Sequence, residues 1–103
     1  MLKLIRHKRR AAATGSLQKL TNELVDIHTS ITEEDVEAVY LPTQHGTRVC
    51  IREIGTDRDI ATLEESRSRI SPSKATVFKS ESQEKLADVI KQANPRCHVR
   101  LRR

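Results

Sequence analysis

The sequence predicts one small α+β domain, a mixed or antiparallel sheet with helices packed on one face. Three observations carry that prediction. Apolar residues recur at helical spacing in some segments and alternate in others. Gly, Pro and Asn punctuate the boundaries between those segments. A chain of 103 residues is about one domain. Residues 1–15 read as a basic N-terminal segment free to be flexible, and residues 16–103 as the folded domain.

Taken in order, Leu2 and Leu4 share a face of a short strand over residues 2–6. Thr14-Gly15-Ser16 is a turn in which Ser16 can cap a helix. Leu17, Leu20, Leu24 and Ile27 then mark an amphipathic helix over 17–28. Thr32 followed by Glu33, Glu34 and Asp35 resembles a second helix start, with acids favoured by the helix dipole. Val36 to Leu41 is richer in β-formers, so at most one turn of helix precedes a strand ending at Pro42. Thr43-Gln44-His45-Gly46 connects it to a second arm, Thr47 to Ile54, as a hairpin.

Gly55 closes that arm. Thr56 and Asp59 have the spacing of a capping box. Ile60, Leu63 and Ile70 fall on one helical stripe, which predicts a helix over 57–70 ended by Ser71-Pro72. Ala75 to Phe78 reads as a strand. Ser80 and Gln83 resemble another capping box, ahead of a stripe of Leu86, Val89, Ile90 and Ala93. Asn94-Pro95 stops that helix. Finally Cys97, Val99 and Leu101 alternate with Arg96, His98, Arg100 and Arg102, the pattern of a half-buried strand. The expected order is β-α-β-β-α-β-α-β. Part of it suits a split βαβ, ferredoxin-like plan with right-handed crossovers.

Tyr40 and Phe78 are the only aromatics. The core must therefore be aliphatic, and base stacking on aromatic platforms has little to draw on. Two cysteines in 103 residues are no disulfide framework, which points to reduced thiols in a cytoplasmic compartment, nucleoid or nuclear if bound to nucleic acid. No apolar run reaches membrane-spanning length. The acid-free, Arg-rich N-terminus also fits an organelle transit peptide, though it is poor in hydroxyl residues.

Charge is segregated. The net charge of +5 divides into +6 over residues 1–22, −8 over 23–66 and +7 over 67–103. If both basic ends fold to one side they make a surface that attracts polyanions. The plain alternative is ordinary solvated surface.

The C-terminal strand presents Arg96, His98, Arg100 and Arg102, with Arg103 beyond. Cations about 6.8 Å apart along one strand match the scale of a phosphate backbone. An edge strand protected from aggregation by charge would look the same. Lys8, Arg9 and Arg10 make either a nucleic-acid arm or a solvated terminus.

Metal, thiol and catalytic chemistry have little support. Cys97 and His98 point to opposite faces of a strand, and no CxxC or HxxxH spacing occurs. A Cys50–His45 pair lacks a third group to orient it. No phosphate-cradling glycine loop or GxSxG elbow is present. Ser71-Pro72-Ser73-Lys74 resembles a proline-directed phosphorylation site, or simply a helix end and loop.

These readings converge on a non-catalytic domain with no metal and no cofactor. It would bind the DNA or RNA backbone through Lys8, Arg9, Arg10, Arg96, His98, Arg100, Arg102 and Arg103. The alternative is an interaction module that forms a homodimer or docks on a partner protein.

Overall fold

The computed structural model describes residues 5–66 and 72–103. In chain order the elements are β1 (Ile5–Arg9), α1 (Gly15–Thr32), β2 (Val36–Pro42), β3 (Gly46–Glu53), β4 (Asp59–Ser66), β5 (Lys74–Phe78), α2 (Gln83–Ala93) and β6 (His98–Arg102). The six strands form one sheet in sequential order, β1 to β6. The end pairs β1–β2 and β5–β6 are parallel, and the three central pairs are antiparallel.

This is the α+β two-layer arrangement the sequence predicts, with a different order of elements. The segment expected as a helix over 57–70 is β4. Ile60 and Leu63 do lie three apart, but a register shift at Ile51/Arg52 lets Ile60 and Ala61 both turn inward. That irregularity hides the alternation of a strand and leaves a helix-like spacing. Ser71 and the other residues of 67–71 lie outside the described residues. The acids after Thr32 are a helix end instead of a helix start. Glu33 adopts a left-handed backbone (φ 61°) and its N–H bonds back to the Thr29 carbonyl. Helix α1 is capped at its start by the Thr14 hydroxyl, not by Ser16.

The parallel partners lie side by side, whereas a split βαβ separates them with an inserted strand, so the sheet order is not ferredoxin-like. Strands β1 and β5 run in opposite directions. Each nevertheless steps the same way across the sheet, through a helix on the same face. The two crossovers therefore have opposite hands, and one is the uncommon left-handed form.

The core lies between the helices and one face of the sheet. Leu17, Leu20, Leu24 and Val25 of α1 and Leu86, Ala87 and Ile90 of α2 cover Ala38, Tyr40, Val49, Ile51, Leu63 and Val77. Alternate residues of the same strands face away from the helices. At Gly46 an added Cβ would lie 2.0 Å from the Glu65 carbonyl oxygen, so only glycine permits the close β3–β4 approach there. The N-terminus of α1 is tied to β4 by Glu65, whose carboxylate accepts from the Thr14 N–H at 3.0 Å and from its hydroxyl at 2.7 Å. The Thr47 hydroxyl donates to the Ala12 carbonyl, fixing the chain ahead of the helix.

Candidate functional site

Among the described residues no helix covers the second face of the sheet, and strand alternation decides what it presents. The register aligns Lys8, Val39, Cys50, Thr62, Thr76 and Arg100 in one row across all six strands. A neighbouring row runs Leu41, Arg48, Glu64, Lys74 and His98, and a third runs Arg6, Glu37, Arg52 and Asp59. Phe78 and Arg102 stand together beyond them. Seven cations (Arg6, Lys8, Arg48, Arg52, Lys74, Arg100, Arg102) thus share this face with three acids (Glu37, Asp59, Glu64) among the described residues.

The cations are not equally free. Glu37 accepts an ion pair from Lys8 at 2.9 Å and a longer one from Arg6 at 3.8 Å. The Lys8 hydrogen bond holds the Glu37 carboxyl below its ordinary range, against the opposing effect of burial. Arg48 binds Glu64, and that bond raises the guanidinium further. Arg52 pairs with Asp57. At the opposite edge, Lys74, His98 and Arg100 have no acid partner among the described residues. They border a shallow concavity of about 270 Å³ with Thr62, Thr76 and Glu64. Arg102 lies over the half-buried Phe78 ring, 5.9 Å from its centroid.

The sequence-predicted residues therefore separate into two groups. Lys8 and Arg9 belong to β1, while His98, Arg100 and Arg102 belong to β6. Five strand spacings, about 24 Å, divide these edges. Lys8, His98, Arg100 and Arg102 all lie on the open face, so the two basic ends flank one surface. Arg9 does not join them. Its register with Tyr40 places it on the helix side, where it covers the Tyr40 ring at 5.3 Å and donates to Gln18. Arg10 is exposed just past β1, and its N–H bonds the Tyr40 carbonyl. Arg96 is exposed in the turn before β6, and Arg103 is exposed after it. The cations of β3 and β5, Arg48, Arg52 and Lys74, are not among the binding residues expected from the sequence, although alternation already sets Arg48 and Arg52 on the face opposite Val49 and Ile51. Their alternation with Val49, Ile51 and Ala75 was the available signal.

A second constellation is buried. His28 of α1 sits between the Ser82 hydroxyl (2.7 Å from Nδ1) and the Glu53 carboxylate (2.7 Å from Nε2). Thr56 donates to the other Glu53 oxygen at 2.7 Å, and Arg58 reaches the carboxylate at 3.1 Å. Burial works to raise the Glu53 carboxyl, but the hydrogen bonds from Thr56, Arg58 and His28 outweigh it and hold it below its ordinary value. An ionised Glu53 only accepts, so Nε2 carries the proton that His28 donates to it. The hydroxyl–imidazole–carboxylate order has the connectivity of a nucleophile triad. All three residues are fully buried, so a substrate has no path to the hydroxyl. What the arrangement does is join the end of α1, the end of β3 and the start of α2. His28 continues the Leu17, Leu24 stripe and Glu53 continues the Val49, Ile51 alternation, which is the signal that marks both as inward-facing.

Cys50 and Cys97 are unbonded. Burial pushes the Cys50 thiol up, with Arg48 and Arg52 pulling the other way, and burial also raises Cys97. Neither has the lowered value of a reactive thiol. His45 borders a separate cleft with Arg48, Glu65 and Lys74, and Cys50 is not part of its lining. Among the described residues no group of three or more His, Cys, Asp and Glu is placed to hold a metal ion, and no helix is long and apolar enough to cross a membrane. No family model matches the chain, and no curated protein matches its sequence.

Proposed function

We propose that the chain is a non-catalytic domain that binds the phosphate backbone of a nucleic acid on the open face of its sheet. One observation carries this reading: among the described residues, the strands present seven cations against three acids on the face without helices, and the cations free of an acid partner lie at the β5–β6 edge. An exposed ion pair such as Arg48–Glu64 is worth about 0–1 kcal/mol, so a phosphate competes for that cation at small cost. The free cations of β5 and β6 need no such exchange. Half-buried Val39, Leu41 and Cys50 give the middle of the face an apolar floor without large aromatic platforms. Recognition is therefore expected to be electrostatic and largely blind to base sequence. Unbonded thiols suit a reducing, cytoplasmic setting.

The test is titration of mixed-sequence single-stranded DNA and RNA across a salt series. The logarithm of the association constant should fall by about 0.7 per phosphate contacted for each tenfold rise in salt. Replacing Lys74 and Arg100 by Ser should weaken binding to every sequence alike. Absence of binding at low salt overturns the reading.

A second reading rests on the two outer strands. Among the described residues each of β1 and β6 leaves one side of its ladder unpaired, and Leu101 on β6 is exposed. A second copy or a partner strand could add there. A dimer mass in solution together with salt-insensitive behaviour favours this module over the first.

A further inference from the structure

We infer that the concavity at the β5–β6 edge holds the terminal phosphate of a nucleic-acid strand, with the adjoining base laid on Arg102. The inference rests on the open-face reading and narrows it. A phosphodiester carries one negative charge, whereas a terminal monoester carries close to two near neutral pH. Most of the face offers single cations already shared with an acid, which suits diesters. The β5–β6 corner differs: Lys74 and His98 are register partners, and Arg100 comes after His98 on the same face of β6. Those three basic side chains converge on about 270 Å³ of space. The one acid at its border, Glu64, is already engaged by both Nε and Nη2 of Arg48. Thr62 and Thr76 stand opposite each other at the floor, and their hydroxyls can donate to phosphate oxygens. Arg100 adds a planar fork that meets two phosphate oxygens at once.

The neighbouring position on the strands determines where the adjoining base lies. Phe78 and Arg102 are one same-face step along from Thr76 and Arg100. That step is about 6.8 Å, the length of roughly one extended nucleotide. The Arg102 guanidinium carbon lies 5.9 Å from the Phe78 ring centroid. Arg102 is exposed, and a guanidinium plane is a stacking surface for a base, a mode that needs no further aromatic residue.

The experiment uses one labelled, mixed-sequence single strand in three forms: unphosphorylated, 5′-phosphorylated and 3′-phosphorylated. Anisotropy at fixed salt gives their affinities. A phosphate at one end should tighten binding about tenfold, the effect of one added charge-assisted contact. That gain should vanish in K74S and in R100S, and persist in K85S, a change at an exposed position on α2. These positions are exposed, so folding is retained, which circular dichroism checks. R102A should weaken binding of the phosphorylated form, and an R102A variant that binds it as wild type does would overturn the base contact. Equal affinity for all three forms, with steep salt dependence intact, overturns the terminal-phosphate site and leaves the broader reading standing. Binding of none of the forms overturns both.

Discussion

The two faces of the sheet are built from the same strands and share almost no properties. On the helix side, Ala38, Tyr40, Val49, Ile51, Leu63 and Val77 are buried, and His28 and Glu53 at the margin of that layer are paired. On the other side the intervening residues are exposed or half-buried, mostly charged, and joined by ion pairs that solvent weakens. Because side chains alternate, each strand takes part in both surfaces at once. Stability and recognition are thereby assigned to alternate positions of one backbone, and substitutions on the two faces should have separable consequences.

The sharpest break in that comparison should come at Glu53. E53A leaves His28 Nε2–H, the Thr56 hydroxyl and Arg58 without the carboxylate that accepts from them, and hydrogen bonds to a charged group are worth about 1.5–3 kcal/mol each, so the loss should reach about 3–5 kcal/mol. Urea unfolding measures it. A cost below about 1 kcal/mol, the range of a surface pair, would mean the network does not staple the helices to the sheet. L63A should cost about 2–5 kcal/mol in the same assay, because a fully buried side chain is removed from between two layers.

Acid should reveal the same network. The folded Glu53 carboxyl sits below its ordinary value, whereas in the unfolded chain it returns to it. Its contribution is complete above the ordinary glutamate range and is lost as pH falls through the lower, folded value. E53Q should therefore flatten the loss of stability as pH falls below the ordinary glutamate value of about 4.3, read from urea midpoints. An unchanged acid profile would assign the pH dependence to other carboxylates.

A smaller effect is expected at Thr14, whose hydroxyl both caps α1 and bonds Glu65. T14A should lower stability by about 1 kcal/mol, read as a shift in the thermal midpoint. The smallest effect belongs to the open face. K74S and R100S should change stability by no more than about 0.5 kcal/mol while reducing oligonucleotide affinity. Destabilisation comparable to L63A would end the separation of the two faces.

Much of the fold was legible because its signals are local. Cys97, Val99 and Leu101 alternate without interruption, and β6 is the result. Leu17, Leu20 and Leu24 define α1, and the Gly46 turn defines the β2–β3 hairpin. Strand β4 was misread because a register shift spoils the only cue that separates it from a helix, the alternation around Ile60 and Ala61. The acids at 33–35 were misassigned because acidic residues come after a helix here, where a left-handed Glu33 ends it. The candidate site was legible in kind but not in place. Runs of Arg and Lys announce a basic surface, yet they do not say that β1 and β6 stand at opposite edges, nor that Arg9 turns to the helix side over Tyr40. The Ser82–His28–Glu53 network joins residues far apart in the chain, and only the assembled sheet and helices bring them within hydrogen-bonding distance.

The location of binding is the central claim, and amide NMR tests it most directly. A mixed-sequence single strand titrated into isotope-labelled protein should shift the amides of Thr62, Thr76, His98, Arg100 and Arg102, and the shifts should fade toward the outer sides of α1 and α2. Shifts concentrated on the helices, or absent at low salt, would contradict binding on the open face.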